Sequence, residues 1–122
     1  MGCVEIEVTR VPIEEIQTMI QERKKLHENF LSMWEPFKAG AIDSDEPVFT
    51  EMVALIEDFD KTAQSVAEIS DDFLEFVKKE GTTDEEYVNT SGRFAFSFMM
   101  ASRKNEEIAK LLFLCRDKLC EQ

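Results

Sequence analysis

The stretch FTEMVALIEDFDKTAQSVAEISDDFLEFV, residues 49–77, decides the fold of this chain. Its apolar side chains recur at alternating spacings of three and four residues, the period of one face of an α-helix. That face is formed by Phe49, Met52, Ile56, Phe59, Ala63, Val66, Ser70, Phe73 and Val77. The stretch therefore predicts a long amphipathic helix, which we place at residues 46–80.

A second helix of similar length is predicted at residues 84–120. Thr83 and Glu86 have the spacing of a capping box, in which a hydroxyl and a carboxylate satisfy free backbone amides at a helix start. Gly81 is suited to ending the preceding helix. Only a few residues separate the two helices, so they should be antiparallel neighbours. Gly92 interrupts the apolar stripe of this helix, and a break there is an open alternative.

The first helix is predicted at residues 12–37. Pro12 suits a first helical position, and Pro36 followed by Gly40 should end the helix. Arg23 and His27 fall at positions of this helix where the heptad spacing expects apolar residues. Before the helix, residues 1–11 alternate apolar and polar side chains and are predicted to be an extended lead.

Together these elements predict an all-α fold, an elongated antiparallel (up-down-up) three-helix bundle formed by the single domain 1–122. The implied register places His27, Phe59 and Asn105 in one layer. Because a buried polar group without a partner is costly, we expect His27 and Asn105 to share a hydrogen bond, directly or through one water. The alternative is that His27 meets solvent and Asn105 bonds elsewhere.

Charge and composition restrict the partners. The chain has 26 acidic and 14 basic residues, a net charge of −12, which disfavours nucleic acid because a nucleic-acid binder needs a surplus of Lys and Arg. No apolar run approaches the roughly 20 residues of a membrane span. Three cysteines without disulfide or metal spacing indicate reduced thiols and a cytoplasmic protein. The start Met-Gly-Cys resembles a lipidation signal, but Ile6 stands where Ser or Thr is usual.

Two surfaces are candidates for binding a partner. Acids outnumber bases by nine to three between Pro47 and Glu80, and helical spacing brings five of these acids together: Glu57, Asp60, Glu68, Asp71 and Glu75. The last helix carries apolar residues outside its core stripe: Phe96, Met99, Met100 and Leu114. An uncovered apolar patch of this kind marks an interaction site. It could instead be covered by Val4, Ile6 and Val8 of the lead.

No catalytic or metal-binding pattern is present in the sequence. His27 is the single histidine, and there is no phosphate loop, nucleophile elbow or zinc spacing. We therefore expect no enzyme activity and no cofactor. The composition favours an interaction module, of an adaptor, regulatory or co-chaperone-like kind, for a protein with a basic or apolar surface, or for a second copy of this chain. The alternative is a carrier or sensor of an apolar ligand held among the ten Phe side chains.

Overall fold

The structure, a computed structural model, describes residue 4 and residues 6–120, apart from the side chains of residues 42 and 119. It contains three helices: α1 (Ile13–Ile42), α2 (Pro47–Lys78) and α3 (Asp84–Cys120). No strand occurs in this described part of the chain. The predicted all-α three-helix bundle is confirmed. Gly2 and Cys3, the candidate lipidation positions, lie outside the described residues.

The direction and register of the helices follow from contacts between them. The Phe73 ring of α2 lies 4.7 Å from the Phe94 ring of α3, and nearer the other end Asp58 pairs with Lys104. On α1, the His27 ring lies 4.5 Å from the Phe59 ring, which is the level predicted for these two residues. The helices contain 30, 32 and 37 residues. At about 1.5 Å per residue they extend for roughly 45–55 Å, so each is long relative to its width.

The turn between α2 and α3 forms as the sequence predicts. Gly81 has a φ of +76°, a left-handed conformation that suits glycine. The Glu86 amide donates to the Thr83 hydroxyl over 3.1 Å, and the Thr83 amide donates to the Glu86 carboxylate over 3.2 Å. The predicted capping box is therefore present. Gly92 does not interrupt α3, which is continuous through it.

The predicted end of the first helix is wrong. The helix does not stop near residue 37 but continues through Pro36 to Ile42, five residues further. An interior proline removes one helical hydrogen bond and disfavours the helix. Phe37 and Ala41 nevertheless pack on the core of the bundle, and their burial offsets that loss. The connection to α2 is correspondingly short.

The lead is attached to the bundle at one end. Val8 packs against the core, and the Val11 amide donates to the Tyr87 hydroxyl over 2.9 Å. Arg10 donates to the Thr82 hydroxyl over 2.7 Å and pairs with Asp84 at 3.1 Å. Residues 8–11 of the lead are thereby held against the turn between α2 and α3.

The core consists of two separate clusters. The larger lies toward the α1–α2 connection and contains Phe30, Trp34, Ala41, Phe49, Met52, Ile56, Phe59, Ile108, Leu112 and Cys115. The smaller lies toward the α2–α3 turn and contains Ile16, Ile20, Phe73, Tyr87 and Phe94. Small side chains, including Ala63 and Ala67 of α2, occupy the level between them. The bundle is consequently less densely filled at its middle than at its ends.

Candidate functional site

Three of the four apolar residues predicted to bind a partner on α3 form one row along that helix, and the fourth, Met99, lies at the edge of the row. Phe96 is 58% exposed and Leu114 is 52% exposed. They are 18 residues apart, which is about five turns, so they point the same way. Met100, one turn after Phe96, shares that side and is half-buried. We call Phe96, Met100, Leu111 and Leu114 the α3 row.

Met99 lies between the α3 row and the side of α3 that faces the first helix, about 60° from Phe96 and about 60° from Ser102. Ser102 accepts a hydrogen bond from Arg23 of α1 over 2.6 Å, which marks the α1 side of α3. Phe113 lies eleven residues after Ser102 and is 57% exposed. By helical spacing it is within about 20° of Ser102, whereas it is about 100° from Leu114. Phe113 therefore serves as a reference for an exposed apolar residue outside the α3 row.

The lead does not cover the α3 row within the described residues. Val4 is 92% exposed and Ile6 is 82% exposed, and Val8 packs on the smaller core cluster instead. The bonds of Arg10 and Val11 keep the neighbouring backbone at the α2–α3 turn. The alternative in which Val4, Ile6 and Val8 cover this face is therefore wrong for the described part of the chain.

A groove lies where α3 meets α2, beside the Leu111 and Leu114 end of the α3 row. Phe96 and Met100 do not line it. It has a volume of about 670 Å³. Its apolar floor includes Leu55 of α2 with Leu111 and Leu114 of α3. Its charged lining consists of Glu51, Asp58, Glu107 and Lys110. The groove thus combines apolar surface with more negative than positive charge.

The acidic residues predicted on α2 do not line this groove. Glu57, Glu68, Asp71 and Glu75 are exposed. By helical spacing they lie within about 80° of Asp60, which contacts α1. Asp60 itself is half-buried, and its Oδ1 lies 3.1 Å from Nε2 of His27. The acidic face and the α3 row are therefore two distinct surfaces, and Asp60 already has a partner within the chain.

A cavity of about 350 Å³ lies between the two core clusters. All three helices contribute to its wall. The apolar part of the lining is formed by Ile20, Phe59, Ala63, Val66, Ala67, Phe98 and Ala101. Arg23, Lys24 and His27 of α1 supply basic groups, and Glu28 and Asp60 supply acidic ones. A volume above about 300 Å³ with a few polar groups is the usual size of a small-molecule site.

Arg23 is the unusual side chain of this cavity. Its Nη2 donates to the Phe98 carbonyl at 3.3 Å and to the Ser102 hydroxyl at 2.6 Å, both neutral acceptors. Its guanidinium carbon lies 5.7 Å from the centre of the Phe98 ring. Nη1 is buried without a hydrogen-bond partner among the described residues. Burial lowers the pKa of Arg23, as expected for a positive charge that has lost water without gaining a counter-charge.

No direct hydrogen bond joins His27 to Asn105 among the described residues, where Nδ1 of His27 is also buried without a partner; a bond through one water stays a prediction. His27 lies beside Phe59 as expected, but its Nε2 contacts Asp60 instead. Asn105 is buried, and neither its Nδ2 nor its Oδ1 has a hydrogen-bond partner among the described residues. Nε2 of His27 contacts Asp60 rather than Asn105 because a carboxylate is a stronger acceptor for an imidazole N–H than a neutral amide is.

Two thiols lie among the described residues, Cys115 and Cys120. Cys115 is buried, and burial raises its pKa because it disfavours the thiolate. Cys120 is exposed and free. In the described residues no group of three or more His, Cys, Asp or Glu side chains could hold a metal ion. Nor does any described helix have the length and apolar character needed to cross a membrane.

Sequence reasoning missed the cavity, although two signals pointed to it. Arg23 and His27 interrupt the apolar stripe of α1 at successive core positions. The facing positions of α2 and α3 carry the small residues Ala63 and Ala101. Polar residues opposite small ones leave space that a well-packed core does not have.

Comparison with known proteins gives no family, because no protein-family model, curated protein or solved structure matches the chain. The class of protein that the fold defines is therefore an all-α three-helix bundle, and its function is inferred from the geometry of its own residues.

Proposed function

We propose that this protein is a non-enzymatic interaction module, of the adaptor or regulatory kind, that binds a basic amphipathic helix of another protein along the α3 row. The observation that carries the proposal is the exposure of Phe96 and Leu114 on the same side of α3, with a leucine-floored groove beside Leu114. Exposed apolar side chains that continue into a groove are typical of protein-binding surfaces.

The shape of the surface favours a helix as the partner. Phe96 and Leu114 are separated by about 27 Å along the axis of α3. A helix of about 18 residues lying between α2 and α3 would span this length with apolar residues at spacings of three and four. It would complete a four-helix arrangement, with α1 on the other side of the α2–α3 pair.

The charges favour a basic partner. Glu51 and Glu107 line the groove with Lys110, while Asp58 is already paired with Lys104. The whole chain carries a net charge of −12. Lys or Arg residues flanking the apolar stripe of the partner helix would meet these carboxylates, which increases the association rate and fixes the orientation. A cytoplasmic setting is part of the proposal and is supported by the free thiols of Cys115 and Cys120.

The experiment uses an 18-residue helical peptide with Leu at heptad spacing and Lys elsewhere, titrated into labelled protein and followed by NMR. We expect shifts at the amides of the α3 row and a Kd that rises at least about tenfold in the double variant Phe96→Ser, Leu114→Ser. The matched control is Phe113→Ser, which removes an equally exposed side chain from the α1 side and should leave the Kd unchanged. A peptide of the same composition in scrambled order should bind more weakly.

The same variants distinguish the other occupants of this surface. If Phe113→Ser weakens binding as much as the double variant, the peptide binds apolar surface without selectivity and the proposal is wrong. If the protein alone sediments as a dimer that the double variant dissociates, the row binds a second copy of the chain.

A further control addresses the acidic face. Changing Glu68, Asp71 and Glu75 to Lys should reduce binding far less than the double variant does, since they lie on another side of α2. Binding should weaken as salt rises past about 0.15 M, where the screening length is roughly 8 Å. If the triple Lys variant loses binding and the double variant Phe96→Ser, Leu114→Ser does not, the peptide binds the acidic face and not the α3 row.

A further inference from the structure

The cavity between the two core clusters contains a positive charge without a counter-charge. Arg23 reaches it from α1, and its hydrogen-bond acceptors are the neutral Phe98 carbonyl and Ser102 hydroxyl. No ion pair joins it to a carboxylate among the described residues. Of the two acids that line the cavity, Asp60 contacts His27 and Glu28 is exposed. Removing a guanidinium from water is expensive unless an anion or several acceptors replace the lost hydration.

The guanidinium is nonetheless held in a defined place. Two hydrogen bonds from Nη2 fix one edge, and the Phe98 ring supports its face at 5.7 Å. The other terminal nitrogen, Nη1, is buried and unpartnered. The N–H groups of Nη1 are therefore available to a ligand. The parallel N–H groups of a guanidinium match the two oxygens of a carboxylate.

The size and lining of the cavity define the remainder of the ligand. A dry cavity of about 150 Å³ is sufficient for benzene, so the volume of about 350 Å³ would hold an apolar body about twice that size. Phe59 and Phe98 supply aromatic surface to the lining. The small side chains of Ala63, Ala67 and Ala101 leave the space that the ligand would occupy. Lys24 adds a second cation to the lining.

We propose that this cavity is a binding site for a small apolar molecule that carries one carboxylate, with Arg23 as the partner of the carboxylate. The apolar body of the ligand would replace the packing that is missing between the two core clusters. The carboxylate would supply the counter-charge that Arg23 lacks. This site is separate from the α3 row, so the two proposals succeed or fail independently.

The test compares 1-naphthoate with its neutral counterpart 1-naphthalenemethanol, each titrated into the full-length protein and followed by NMR and calorimetry. Naphthoate should shift the amides around Ala63, Ala67 and Ala101 and bind more tightly than the alcohol. Arg23→Met should raise the naphthoate Kd by about 10- to 100-fold, the effect of removing a charge-assisted hydrogen bond. The same variant should leave the weaker binding of the alcohol nearly unchanged.

Two further variants make the result specific. Lys25→Met removes an exposed cation two residues away that does not line the cavity, and it should leave the Kd unchanged. Ala67→Leu fills the cavity without touching Arg23 and should abolish binding of both compounds. If wild type binds the alcohol as tightly as naphthoate, or if Ala67→Leu leaves binding intact, the proposal is overturned even where Arg23→Met fails to fold.

Discussion

Nε2 of His27 lies 3.1 Å from Oδ1 of Asp60, and this contact joins the middle of α1 to the middle of α2. The imidazole is also packed against the Phe59 ring, 4.5 Å away. Both residues line the central cavity. The contact therefore holds α1 in place at the level where the core provides the least packing.

The first prediction concerns this contact. Asp60→Asn retains an oxygen that can accept the imidazole N–H, and it should change the free energy of unfolding little. Asp60→Leu removes the acceptor and should lower the free energy of unfolding by about 1 kcal/mol or less, since Asp60 is partly exposed to solvent. Urea unfolding of both variants measures the difference. Glu57→Leu, at an exposed acid of the same helix, is the control and should have less effect than Asp60→Leu.

The second prediction concerns Asn105, whose buried amide has no hydrogen-bond partner among the described residues. Leu has a similar size and no polar atoms, so Asn105→Leu should raise the free energy of unfolding by about 1–3 kcal/mol. Asn105→Asp would instead bury a charge and should destabilise the protein. A lower urea midpoint for Asn105→Leu would contradict this prediction. It would show that the Asn105 amide forms a hydrogen bond in solution and that the substitution removes it.

The fold could be predicted from the sequence because its signals are local and repeated. The apolar stripe of residues 49–77 specifies α2, and Gly81 with the Thr83–Glu86 capping box specifies the turn to α3. The short turn fixes the register of α3 against α2. The level of His27 and Phe59 was predicted correctly because α1 runs antiparallel to α2, with Trp34 opposite Phe49 or Met52. Each of these inferences depends on spacing within one helix or across one short connection.

The site could not be predicted in the same way, because it depends on which of several partners each side chain meets. Heptad spacing placed His27 at the level of Asn105, but it did not show that Nε2 of His27 contacts Asp60. Helical spacing grouped Met99 with Phe96, which lies about 60° from it around α3, but it could not show how much of that face α1 and α2 leave uncovered. The cavity arises only where all three helices meet.

The third prediction concerns pH and the capping box. Hydrogen bonds from the Thr83 amide and then the Thr83 hydroxyl lower the pKa of Glu86 from its ordinary value of 4.5. A carboxyl with a lowered pKa in the folded state contributes stability above its unfolded pKa and loses that contribution as pH falls through the folded pKa. The stability difference between wild type and Glu86→Gln should therefore be constant above pH 4.5 and shrink below it. Glu85→Gln, beside it on the same turn, should show a weaker dependence in the same urea titrations.

The fourth prediction concerns Pro36, at which α1 was expected to end and through which it continues. In this position proline leaves the Ser32 carbonyl without its helical N–H donor, and its ring crowds the preceding turn. Pro36→Ala restores that donor and should raise the free energy of unfolding by about 1–3 kcal/mol, after allowance for the greater freedom of Ala in the unfolded chain.

Pro47 provides the matched control for this change. It lies in the first turn of α2, where a missing N–H breaks no helical bond. Pro47→Ala should therefore leave the free energy of unfolding unchanged or lower it by up to about 1 kcal/mol, because Ala gives the unfolded chain more conformational freedom than Pro does. Urea unfolding of both variants gives the comparison, with circular dichroism to show that helix content is retained. If Pro36→Ala is no more stable than Pro47→Ala, the helix does not continue through residue 36, and Phe37 and Ala41 reach the core from a separate segment.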